Sequence, residues 1–137
     1  MSKAHYKYIE AELYNYHDNL RYLDELREAI IDGTPAQGER VQSGAISDPT
    51  AEKANKLVST TRLITLNRNI DSIGKALKLI KNTGEPKKYR LVEMKYFEKE
   101  YTDQKIAAEL YISLETYYRW KRDIIKLIGT YMGIETA

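Results

Sequence analysis

The chain has no cysteine. That removes disulfides, thiolate metal sites, iron–sulfur clusters and cysteine nucleophiles together, and nothing in it requires an oxidising compartment. Histidine is almost as scarce. His5 and His17 stand twelve residues apart, too few for a histidine-based metal site, and both are expected at the surface. No stretch approaches the run of about 18 apolar residues that a spanning helix needs. The start, Met1-Ser2-Lys3-Ala4-His5-Tyr6, lacks an apolar signal core, so the expectation is a soluble, cytoplasmic protein with no membrane partner. A phosphate-cradling glycine-rich loop, metal-ligand spacing and a recognisable serine or histidine nucleophile setting are all missing. No enzyme, catalytic residue, metal or cofactor is therefore expected. The carboxylates Glu10, Glu12, Asp24, Glu25 and Glu28 are read as the solvated side of a helix. Apolar alternation with β-branched residues does not persist beyond four residues anywhere, so strands are not expected and the fold should be all α.

What is present is charge, tyrosine and helical periodicity. Of 137 residues, 31% are charged and 42% hydrophobic, and twelve tyrosines stand against one phenylalanine and one tryptophan. Tyrosine suits a partly wet packing seam or contact surface, where an apolar ring must carry a polar tip. The seven glycines and three prolines punctuate the chain at Gly33 to Pro49, Gly84-Glu85-Pro86 and Gly129 to Gly133, with Gly74 the exception. Charge divides unevenly between the resulting blocks: −4 over residues 1–48, +4 over 49–85 and +2 over 86–137.

Four segments follow. Residues 1–31 read as an N-terminal helix whose seam, Ile9, Leu13, Tyr16, Leu20 and Leu23, recurs at steps of four and three and continues through Arg27 to Ile30. That stripe packs either on another helix of the same chain or on a second copy as a coiled coil. Residues 32–47 have no period and read as a flexible linker. Residues 48–84 read as a long second helix, with Ser47-Asp48-Pro49 as its start signal and a heptad of Leu63, Leu66, Ile70, Ile73, Leu77 and Ile80. Gly74 either weakens that helix by about 1 kcal/mol or lets a partner approach closely.

Residues 85–137 carry three short helical patterns: Pro86 to about Glu98, Thr102 to Leu110, and Ser113 to about Met132. Thr102 and Ser113 are placed as N-caps with acidic first turns, and Tyr111-Ile112 as a turn whose isoleucine plugs the angle between helices. This is the layout of a helix-turn-helix, in which the last helix enters the major groove of double-stranded DNA. Tyr117, Trp120, Ile124, Leu127 and Ile128 should face Leu91, Met94, Phe97, Ile106 and Leu110. The opposite face begins at Leu114. The candidate DNA contacts on it and at its cap are Ser113, Glu115, Thr116, Tyr118, Arg119, Lys121, Arg122 and Lys126. Early positions suit base edges, since arginine pairs with guanine, threonine touches a thymine methyl and glutamate accepts from cytosine. Later Lys and Arg suit phosphates.

The same segment, with Leu91 to Phe97, Ile106-Ala107-Ala108-Glu109-Leu110, Ile112-Ser113 and Thr116-Tyr117-Tyr118-Arg119-Trp120-Lys121, resembles phage transcriptional regulators of the ArpU and RinA type, whose C-terminal part is similar to sigma factor region four. The resemblance covers residues 86–132 well and the first 47 only loosely. It implies activation of phage or prophage late genes by binding upstream DNA and aiding host RNA polymerase, with Ser113 to Lys126 as the recognition helix. The chain departs from the helix-turn-helix pattern at Tyr111, where glycine is common; a non-glycine there must accept an unfavourable backbone angle or a looser turn. The N-terminal helices are the expected route to a homo-oligomer. Two other readings stay open: a helical adaptor that binds only protein in the transcription machinery, and a DNA-recognition subunit of a phage packaging complex.

Overall fold

The computed structural model describes residues 1–31 and 49–134, with side chains described for 1–28 and 61–134. The linker reading at 32–47, the start signal at Ser47 and Asp48, and the side chain of Ile30 lie outside the described residues. Within them the chain is all α, with six α-helices and one π-helical stretch.

The N-terminal segment forms two helices, α1 (Lys3–Tyr14) and α2 (Tyr16–Ile31), where the periodicity alone gave one. Asn15 separates them with ψ near 7°, off helical geometry, although its N–H still reaches the Ala11 carbonyl and its own carbonyl accepts from Asn19. Asparagine is a poor helix former, and the hydrophobic seam runs through the bend without registering it. Ser2 caps α1 by accepting from the His5 N–H. The third helix, α3 (Pro49–Asn82), has 34 residues and so a length of about 50 Å. It stops at Thr83 and at Gly84, which takes φ 78°.

Helix α4 (Pro86–Val92) runs directly into the π-helical stretch Glu93–Glu98, closed by Lys99 in the left-handed region with its N–H on the Met94 carbonyl. Two more helices follow, α5 (Asp103–Glu109) and α6 (Leu114–Met132), each starting where a capping residue was expected.

One core joins these elements. Ile9 and Leu13 of α1, Ile73, Ala76, Leu77 and Ile80 of α3, Leu91, Val92, Met94 and Tyr96 of the α4 region, Ile106 and Ala107 of α5, and Tyr117, Ile124, Ile125, Ile128 and Met132 of α6 are buried together. The most extensive contact is between α3 and α6, and α1, α4 and α5 also pack on α6. Helix α2 packs on α3 within the same chain, where Leu23 and Ile70 are buried and Arg27 donates to Asn67 at 3.3 Å. The α3 seam is buried from Ile70 to Ile80, with Leu63 and Leu66 half-buried. At Gly74 a methyl group would stand 3.4 Å from the Tyr16 hydroxyl, so the glycine sits where α2 begins to cross α3. The core is continuous across the sequence boundary at Gly84-Glu85: residues 85–137 share their apolar interior with α1 and α3.

The buried polar groups pair across helices. Asn69 on α3 donates to the Tyr8 hydroxyl of α1 at 2.7 Å, and Ser72 donates to the Tyr131 carbonyl of α6 at 3.2 Å. No buried side-chain nitrogen or oxygen among the described residues lacks a partner.

Candidate nucleic-acid interface

The candidate face is built from α5, the turn after it and α6. Asp103 opens α5, whose N-cap Thr102 accepts from the Lys105 N–H at 3.1 Å. The helix ends at Leu110 with two reverse bonds: the Tyr111 N–H to the Ala108 carbonyl at 3.1 Å and the Ile112 N–H to the Ala107 carbonyl at 3.0 Å. These two bonds make a Schellman closure, which needs its first residue beyond the cap in the left-handed region. Tyr111 occupies that position with φ 58°, so the backbone angle expected of a non-glycine turn residue is present. Ile112 follows, half-buried against the core. Ser113 then caps α6, accepting from the Thr116 N–H at 3.1 Å and donating to the Thr116 hydroxyl at 3.0 Å.

At about 100° per residue, α6 divides into three sectors. Tyr117, Ile124 and Ile128 point into the core, with Trp120 and Leu127 half-buried beside them. Ile125, buried, and Lys121 form a second sector, which meets α1 at the contact of Lys121 with Glu10. The third sector is open: Leu114, Glu115, Tyr118, Arg119, Arg122 and Lys126 are exposed. None of the ion pairs formed among the described residues includes Arg119, Arg122 or Lys126.

Lys121 differs from the others. Its ammonium lies 3.1 Å from Glu10 Oε2 with its side chain 14% exposed, so it sits at the α1 seam and not on the open face. Glu10, read from the sequence as part of a solvated surface, is half-buried there and also accepts from the Tyr96 hydroxyl at 2.7 Å. Burial first, and then Glu10, push the Tyr96 hydroxyl well above its ordinary value, so Tyr96 stays a neutral donor. Tyr6 belongs to the same seam. Burial and the Glu10 carboxylate push its hydroxyl up to about 12, against the lowering effect of Arg122 and Lys95. Tyr96 was not among the residues expected inside. A π-helical turn carries about one residue more than an α-helical one, so the phase slips after Met94; Tyr96 becomes fully buried and Phe97 half-buried, its ring stacked on Tyr16 at 5.9 Å.

Asp103 ties α5 to its neighbours. Its carboxylate accepts from the Tyr117 hydroxyl at 2.5 Å, the Lys95 ammonium at 3.1 Å and the Tyr118 hydroxyl at 3.3 Å. Burial would raise this carboxyl, but the hydrogen bonds from Tyr117 and Lys95 outweigh it and hold the group below its ordinary value. Tyr118 is thereby fixed at its tip, with its ring edge-on to Tyr117 at 5.1 Å. Asp103 therefore joins the start of α5 to the first turn of α6 and to the π-helical stretch.

The eight candidate residues thus separate. Glu115, Tyr118, Arg119, Arg122 and Lys126 share the open face, Ser113 and Thr116 are joined in the cap at its entry, and Lys121 is held at the α1 seam. Leu114 also lies on that face, exposed, and was not among the candidate contacts. Among the described residues no group of three or more His, Asp or Glu side chains is placed to hold a metal ion, and no helix is long and apolar enough to cross a membrane. Comparison with family models, characterised proteins and solved structures gives no match.

Proposed function

We propose that the chain is a sequence-specific double-stranded DNA-binding transcriptional regulator, with α5, the Tyr111-Ile112 turn and α6 acting as a helix-turn-helix. The observation that carries this reading is the open face of α6. One helix presents Glu115, Arg119, Arg122 and Lys126 to solvent, its first turn set by the Ser113 cap and joined to α5 by a closed turn. Guanidinium groups near the start of such a helix suit base edges, and a cation three turns along suits a phosphate. The resemblance to phage regulators of the ArpU and RinA type extends the reading to activation of phage or prophage late genes in the cytoplasm. There the host RNA polymerase would be a protein partner, and a homo-oligomer would form through the N-terminal helices.

Fluorescence anisotropy against short duplexes tiled across the chain's own genomic neighbourhood, at low and physiological salt, tests it. A preferred tile that survives physiological salt is the expected result. Binding to all tiles, lost steeply with salt, would reduce the reading to phosphate attraction. On the preferred tile Arg119→Ala should cost roughly tenfold or more while leaving affinity for scrambled DNA nearly intact, whereas Lys126→Ala should weaken both about equally. Equal losses for the two variants would remove the base-contact assignment of Arg119.

The second reading, a helical adaptor that docks on transcription proteins without touching DNA, is favoured by the small net charge of +2 in residues 86–137. No binding to any tile at either salt would transfer support to it. Assembly of the chain into a ring would instead favour a DNA-recognition subunit of a packaging complex.

A further inference from the structure

The large apolar side chains left exposed are not evenly spread. Tyr111 at 89%, Leu114 at 40% and Tyr118 at 38% fall within eight residues at the entry of α6. Leu114, Tyr118 and Arg122 are successive members of one i, i+4 row, so an aliphatic, an aromatic and a cationic side chain line the edge of the open face that borders α1. Glu115, Arg119 and Lys126 continue that face, and the exposed Asp123 stands at its far edge.

Tyr118 is held by its hydrogen bond to Asp103 and its ring contact with Tyr117, whereas the side chains of Tyr111 and Leu114 enter no hydrogen bond or ring contact among the described residues. Leu114 is the first residue of α6, takes no part in the hydrogen bonds of the Ser113 cap and is 40% exposed. Tyr111 is more telling. The chain closes α6 with the same pair of reverse bonds, Gly133 to Thr130 and Ile134 to Gly129, and places glycine at the left-handed position with φ 79°. At the end of α5 the equivalent position holds a tyrosine that is almost fully in water. Lys99 accepts a left-handed angle as well, so it is the large exposed ring beside the entry of α6, and not the angle, that points to a contact outside the chain.

Charge decides what that contact is. The apolar row runs beside Arg119, Arg122 and Lys126, all exposed and without ion-pair partners among the described residues, which suits a polyanion. On the floor of the major groove the one apolar feature is the 5-methyl group of thymine. We propose that Leu114, flanked by the fixed ring of Tyr118, is a specificity-determining residue that reads thymine methyl groups, so that the preferred duplex carries thymine where the first turn of α6 enters it. The proposal rests on the DNA reading above and adds the base class that the apolar row selects.

The probe is a duplex enriched by the intact protein from a randomised pool, remade with each thymine replaced in turn by uracil, which removes a methyl group and nothing else. The unaltered chain should lose about fourfold in affinity at one or two positions, the value for one methyl group removed from water. Leu114→Ala, at an exposed position next to an unchanged cap, should bind the thymine duplex correspondingly more weakly and be indifferent to uracil at those positions. If the unaltered chain enriches a duplex but no uracil substitution weakens it, or if Leu114→Ala keeps the full uracil sensitivity, the thymine assignment falls and the DNA reading stands. If no duplex is enriched, both fall together.

Discussion

Tyr111 is a non-glycine residue held in the left-handed region with its ring almost fully in water. Its place after Ala107-Ala108-Glu109-Leu110 marks the turn, and the absence of glycine there calls for an unfavourable backbone angle or a looser turn, of which φ 58° is the first. The ring's exposure could not be read from the chain, because it depends on what the folded surface leaves uncovered. A left-handed angle at a residue with a Cβ costs roughly 1–2 kcal/mol, and 89% exposure leaves the ring little to offset it. Tyr111→Gly should therefore raise stability by about 1 kcal/mol, a rise in Tm of a few degrees for a chain of this size, measured by far-UV circular dichroism at neutral pH. An unchanged or lower Tm would mean that the ring packs on the fold after all.

At the scale of elements, the caps and the α5 and α6 boundaries were legible because they are local. Thr102 and Ser113 each need only their own hydroxyl and an N–H three residues on. The burial of Tyr96 and the withdrawal of Lys121 were not legible, since one follows from a π-helical phase slip and the other from α1 docking on α6 across more than a hundred residues of sequence. Asp103 is the main polar tie between α5, the π-helical stretch and α6. A carboxyl whose pKa is lower in the folded chain than in the unfolded one stabilises the fold above the unfolded value, about 3.9. That contribution is lost as the pH falls through the folded value. Asp103→Asn should thus cost about 2 kcal/mol at neutral pH, the scale of hydrogen bonds to a charged acceptor, and the gap from the unaltered chain should narrow below about pH 4. Urea denaturation at neutral pH and near pH 3 checks this. A gap of constant size would assign the loss to geometry, not to the carboxylate charge.

At the scale of the molecule, periodicity found the apolar stripes, though not the break at Asn15, and could not say which stripes meet. Both faces of α6 show why. Tyr117, Ile124 and Ile128 were recognisable as one core stripe, whereas Ile125, equally buried, lies off that stripe and is covered only because several helices pack around α6. Chain punctuation at Gly84-Glu85-Pro86 divides helices, yet the interior passes through it: Ile73, Ala76, Leu77 and Ile80 of α3 and Ile9 and Leu13 of α1 share one core with α6. A fragment beginning at Glu85 would expose the α3-facing and α1-facing sides of α6 together, leave the half-buried Lys121 without Glu10, and leave the Tyr96 hydroxyl without its acceptor. Each fully buried aliphatic side chain uncovered forfeits about 1.5–3 kcal/mol, so uncovering three or four of them would remove an amount comparable with the 5–15 kcal/mol that a small domain has to lose. The fragment should therefore melt without a cooperative transition by far-UV circular dichroism and near-UV signal from its tyrosines, while the full chain melts in one step. A sharp transition in the fragment near that of the full chain would make residues 85–137 an independent domain, with α1 and α3 attached to it and not part of its core.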